Sequence, residues 1–158
     1  MRALVQAAQE TVALHDVPSP QQSPGSTLVE IKASGICDTD IAAYRGQDPR
    51  RPPPIILGHE AAGIVRGGPE DGRRVAINPV VTCGNCEGCA TGRTNLCVYQ
   101  QMMSIPPRDG ILAERAVIPT GNLVTVPDDI SFARAALIEP LACGWHAVRL
   151  CHATYNLP

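Results

Sequence analysis

Four cysteines stand close together in the stretch Cys83-Gly-Asn-Cys86-Glu-Gly-Cys89-Ala-Thr-Gly-Arg-Thr-Asn-Leu-Cys97. The spacing C-x2-C-x2-C-x7-C lets four thiolates close a tetrahedron around one zinc ion, and a site that spends all four positions on protein ligands leaves none for water. Such a lobe holds shape and does no chemistry. Disulfides are one alternative, but the chain has seven cysteines, an odd number, and Met1-Arg2-Ala3-Leu4-Val5 runs into Gln and Glu without a long apolar stretch. Reduced thiols in a cytoplasmic setting fit better. An iron–sulfur cluster is the stronger rival, since C-x2-C-x2-C also opens a bacterial ferredoxin run, where the fourth Cys follows after three residues and precedes proline. Here it follows after seven and precedes Val98, so zinc is the better match.

Other groups with chemical potential lie outside the lobe. Cys37 precedes Asp38-Thr39-Asp40-Ile41-Ala42-Ala43-Tyr44, which reads as a short helix with acidic and hydroxyl residues in its first turn. A thiol at a helix N-terminus is pushed toward thiolate; the plainer reading is a buried structural cysteine. His59-Glu60 sits between Gly58 and Ala61-Ala62-Gly63, and imidazole and carboxylate are both zinc ligands, although such a pair is more often a satisfied polar contact. Glu139 stands between Ile138 and Pro140-Leu141-Ala142. A carboxylate in so apolar a run needs a partner or a metal unless a helix end leaves it solvated.

The elements that must position these groups are mostly strands. Fifteen prolines and fourteen glycines among 158 residues argue against a helix bundle and for short strands joined by turns. Strands are expected at 2–7, 11–17, 27–33, around Ile64-Val65, at 74–77, 112–118 and 122–126. In 27–33, Val29, Ile31 and Ala33 alternate with Glu30 and Lys32 and are expected on one face. Gly35 is expected to allow a sharp turn. Ser131 should cap a helix over 132–138, with Pro140 as the first residue of a second helix through Leu150. His15 is read as an ordinary strand residue. The net charge of −2 offers no basic face to phosphates, which disfavours a zinc-ribbon nucleic-acid binder. No apolar run approaches a membrane span.

Taken together, Gly35-Ile36-Cys37-Asp38-Thr39-Asp40, Gly58-His59-Glu60-Ala61-Ala62-Gly63-Ile64-Val65, the four-cysteine lobe and Glu139-Pro140-Leu141-Ala142 resemble the zinc-dependent medium-chain dehydrogenase/reductase family. The resemblance is to its N-terminal, GroES-like catalytic domain, and nearest to the polyol, sugar-alcohol and threonine dehydrogenase branch. It implies two zinc ions per chain. Cys83, Cys86, Cys89 and Cys97 would hold the structural one; Cys37 and His59, with Glu60 or Glu139, would hold the catalytic one. Thr39 matches the hydroxyl that carries the alcohol proton away, and Asp40 the carboxylate that fixes the ring of His59. The implied reaction oxidises a small alcohol or polyol to a ketone or aldehyde, with hydride passing to NAD or NADP.

Two departures stand out. Ala42 occupies the position where many members carry a relay histidine, so the proton must leave Thr39 through water or another route. No G-x-G-x-x-G follows a strand, so the Rossmann cofactor domain is expected to be absent. The expected architecture is therefore a mostly β chain with short helices: a partly open GroES-like barrel over 1–150, a zinc lobe at 83–97, a C-terminal helical stub, and a divergent or truncated tail at 151–158. Cys151 and His152 are assigned no ligand role. The chain alone is expected not to turn over substrate, and self-association is expected through exposed sheet edges. A non-enzymatic zinc-binding or assembly module that keeps the fold is the alternative.

Overall fold

The computed structural model describes residues 1–155. In chain order, β1 (Arg2–Ala8) and β2 (Thr11–Asp16) form a hairpin. β3 (Ser26–Ser34) leads into α1 (Asp38–Tyr44), and a proline-rich approach carries the chain to β4 (Ile55–Ile56) and β5 (Ala61–Arg66). β6 (Arg74–Ile77) and β7 (Val80–Val81) enter the cysteine lobe, which contains α2 (Glu87–Ala90), and β8 (Gln101–Met102) leaves it. β9 (Arg115–Pro119), β10 (Leu123–Thr125), α3 (Phe132–Ala136) and α4 (Ile138–Tyr155) follow.

All pairings are antiparallel. A five-stranded sheet runs β10-β6-β5-β3-β9, a three-stranded sheet runs β2-β1-β4, and β7 pairs with β8 at the base of the lobe. The sheets curl into a partly open barrel, as the sequence predicts. Period-two alternation sends Val65, Val75 and Ile77 to one face of the large sheet, where they pack with Val29, Ile111 and Ile118. Ala62 of β5 and Ala76 of β6 face the other side and pack under Ala135 and Ala136 of α3. Each fully buried Val or Ile contributes roughly 1.5–3 kcal/mol of transfer free energy. Alanine dominates the second face because α3 lies so close to it.

Several expectations shift. A bulge between Ile31 and Ala33 moves Ala33 off the face shared by Val29 and Ile31 and onto the α3 side. Strand 112–118 starts only at Arg115, because Leu112 is engaged elsewhere, exchanging backbone bonds with Leu57 and Leu4. Ser131 does cap α3, accepting from the Arg134 N–H at 3.3 Å. The break between the helices falls at Leu137, and Pro140 lies inside the first turn of α4, where its missing N–H costs nothing. α4 continues past Leu150 through Tyr155; residues 156–158 of the expected tail lie outside the described residues. No helix among the described residues is long and apolar enough to cross a membrane. No parallel doubly wound sheet occurs among them either.

Candidate metal centres

The lobe brings its four sulfurs within 4.8 Å of one another. Cys86 and Cys89 Sγ lie 3.5 Å apart, Cys97 and Cys83 3.6 Å, and Cys83 and Cys89 4.0 Å. A tetrahedron with zinc–sulfur bonds of ~2.3 Å has edges of ~3.8 Å, so the sulfurs already stand where one ion would hold them. None is in a disulfide. The Cys89 N–H, reinforced by Cys89 and Cys83 thiols, pulls Cys86 down to about 6, while burial and Cys86 push Cys89 up to about 11. Thiolates this close repel one another, and a divalent cation removes that conflict. Apart from Cys97, none of the lobe's side chains from 82 to 100 is buried.

The second centre is assembled from distant parts of the chain. Cys37 is the N-cap of α1, with extended backbone, and its N–H donates to Asp40 Oδ2 at 3.0 Å. Asp40 Oδ1 accepts from the Gly58 N–H at 3.1 Å and lies 3.6 Å from His59 Nδ1. That distance is an ion-pair contact and too long for a hydrogen bond. Asp40 thereby ties the helix turn bearing Cys37 to the segment bearing His59 and Glu60. Gly58 takes φ of 94°, a conformation that aims its N–H at Asp40 and that side chains resist. The donor atoms of Cys37, His59 and Glu60 converge within 4.8 Å.

Electrostatics follows this geometry. Burial alone would lower the His59 imidazole, but Asp40 and Cys37 outweigh it and raise it above its ordinary value. Burial would raise Asp40; His59 and the N–H groups of Cys37 and Gly58 hold it below the usual carboxylate range. Glu60 is 6% exposed, and its backbone carbonyl accepts from Ser34 Oγ at 2.9 Å and Gly35 N–H at 2.8 Å. A Cβ on Gly35 would fall 2.1 Å from Glu60 Oε2. Gly35 is therefore required by this close approach, and its own φ is not positive.

The donor set fits zinc. Thiolate, imidazole and carboxylate are its three common ligand types, one donor atom of each lies within 4.8 Å of the others, and no protein donor reaches the Glu60 carboxylate among the described residues. Three protein donors also leave room for a fourth ligand. Glu139 falls outside the convergent set, with Cys143 Sγ 3.8 Å from its Oε1. Burial, with Glu60 nearby, raises its carboxyl above the ordinary range. Thr39 is exposed beside the centre. Sequence reasoning missed Ser34, the steric role of Gly35 and the N–H of Gly58; the glycines flanking the motif were the available signal. Cys151 and His152 lie on exposed α4, outside both clusters.

A curled antiparallel barrel with a four-thiolate lobe and a separate cysteine–histidine–glutamate cluster defines a zinc-type dehydrogenase domain of the GroES-like class. The chain belongs to the alcohol dehydrogenase GroES-like domain family, which it matches over residues 23–128. Sorbitol dehydrogenase of Bacillus subtilis is 36% identical over 156 residues, covering 93% of this chain and 44% of that protein. Galactitol-1-phosphate dehydrogenase of Escherichia coli aligns with a TM-score of 0.88 at 27% identity, over 96% of this chain and 45% of its own. An alcohol dehydrogenase of Escherichia coli CFT073, solved with NADH, gives 0.86 at 29% identity, over 95% and 45%. The chain thus spans less than half the length of these relatives.

Proposed function

We propose that residues 1–150 are the zinc-binding catalytic domain of an NAD(P)-dependent dehydrogenase that oxidises a secondary alcohol or polyol to a ketone. The observation that carries this reading is the convergence of half-buried Cys37 with buried His59 and Glu60 from separate segments into one cluster. Zinc bound there supplies Lewis acidity to a hydroxyl group. Cys37 and His59 hold the site, Glu60 adds the carboxylate, and Asp40 orients the His59 ring. Thr39 stands exposed two residues after Cys37, placed to take a hydroxyl proton and release it to water. Glu139 acts on the centre by its charge, from outside the donor set. The lobe holds a second zinc for structure alone.

No G-x-G-x-x-G stretch follows a strand in this sequence, so the 158-residue chain by itself is expected to give no NAD(P)-dependent turnover. The reading is tested by cobalt(II) substitution. Adding a sugar alcohol should shift the cobalt spectrum of the wild type and leave that of His59→Ala unchanged; an unresponsive wild-type spectrum would overturn it.

A second reading, a zinc-held assembly module, is favoured by α4, where Leu141, Trp145, Val148 and Leu150 stand 53–67% exposed. Sedimentation of a monodisperse monomer would rule it out, together with the self-association it requires.

A further inference from the structure

Arg51 is one of the largest fully buried side chains in the molecule, and none of the roles above uses it. Its Nη1 donates to Asp48 Oδ2 at 2.7 Å and to the Thr39 carbonyl at 3.3 Å, while Nε donates to the Ser104 carbonyl at 2.9 Å. Asp48 is in turn clamped by both Arg50 N–H groups at 2.9 Å and by the Arg50 backbone at 3.1 Å. A buried guanidinium is tolerated only when its charge is matched and its donors are used. Here they are spent on three different segments.

The choice of segments is informative. Thr39 lies in the first turn of α1, between Cys37 and Asp40. Ser104 lies two residues after β8, at the exit of the cysteine lobe, and Met103 beside it bonds Pro79 at the lobe's entrance. Ser104 is fully buried and takes φ of 66°, a left-handed conformation that costs a non-glycine residue free energy. That conformation belongs to the residue whose carbonyl receives Arg51.

We infer that Arg51 is a positioning residue for the Cys37–His59–Glu60 centre, locking the turn that carries Cys37 and Asp40 to the base of the cysteine lobe; this rests on reading that centre as a metal site. The guanidinium reaches Ser104 from Nε and Thr39 and Asp48 from Nη1. Lysine carries its charge on one nitrogen and does not reproduce this spread.

The test is a cobalt(II) titration of the zinc-free full chain, followed by thiolate-to-cobalt absorption. The signal lost in Cys37→Ser belongs to the mixed centre, and the remainder to the lobe. Arg51→Lys should bind cobalt about tenfold more weakly at the mixed centre, with an altered spectrum there, while the lobe signal is kept. Wild-type affinity and spectrum in Arg51→Lys would overturn the inference. A wild type with no Cys37-dependent signal would overturn the metal-centre reading itself, and the inference with it. Should Arg51→Lys lose the lobe signal too, Asp48→Asn decides: a smaller loss at the mixed centre is expected, and an unchanged affinity overturns.

Discussion

On the proposed reading, the two donor clusters are built in opposite ways. The lobe takes its four donors from one short stretch with almost no buried side chain, so local spacing does the work and the metal must supply the stability. The mixed cluster takes its donors from the N-cap of α1 and from the segment before β5, and Asp40 ties the two together by bonds from the Cys37 and Gly58 N–H groups. If both clusters bind zinc, the metal should make the fold in the lobe, and the fold should make the metal site in the mixed cluster. Removing an ion should therefore unfold one region and merely empty the other.

The largest expected effect lies in the lobe. Structural zinc contributes on the order of 10–16 kcal/mol of apparent folding free energy in zinc-finger peptides, and nothing else here could replace it. Chelation, or Cys89→Ser, should expose residues 83–97 to protease by orders of magnitude while β3, β5 and β6 stay protected in hydrogen exchange. Equal resistance with and without metal would collapse the contrast between the two regions.

Gly35→Ala tests the preformed centre. The added methyl occupies the place of Glu60 Oε2, so the carboxylate must leave or the backbone must move, at a cost of about 1–3 kcal/mol. Zinc affinity at the mixed centre should fall by about tenfold or more, with the lobe unaffected. Isothermal titration of both sites checks this, and an unchanged second affinity would mean that Glu60 is no ligand.

A smaller effect concerns the support behind that centre. Asp48 is held down to about 2, chiefly by Arg50 and also by Arg51, against an ordinary value of 3.8. A lowered carboxylate stabilises the fold above its unfolded value and loses that contribution as pH falls through the folded one. Melting temperature should therefore drop between about pH 4 and pH 2, and Asp48→Asn should flatten that limb. Parallel acid limbs would show that Asp48 carries no such contribution.

The same contrast explains what the sequence revealed. The lobe was legible from spacing alone, because all of its donors sit in one local stretch. Cys37, His59 and Glu60 were legible singly, and only the family resemblance joined them, because no local pattern reports a distance between residues 37 and 59. The choice between Glu60 and Glu139 was left open for a related reason: it depends on which carboxylate lies within 4.8 Å of the Cys37 and His59 donors, a distance that a sequence does not display. Strand periodicity located the barrel, but the bulge that carries Ala33 to the α3 side arises from pairing with β5. Arg51 was unreadable, since an arginine among prolines looks like a surface residue until its three partners are in place.

The central claim is that one chain holds two metal centres, one dependent on its ion for structure and one preformed. Elemental analysis of zinc per chain in the wild type and in His59→Ala tests it most directly. The expected result is about two zinc ions in the wild type, matching the two donor clusters, and about one in a variant that keeps its lobe and its fold. About one zinc in both proteins would contradict it, leaving the cysteine–histidine–glutamate cluster without a metal to hold.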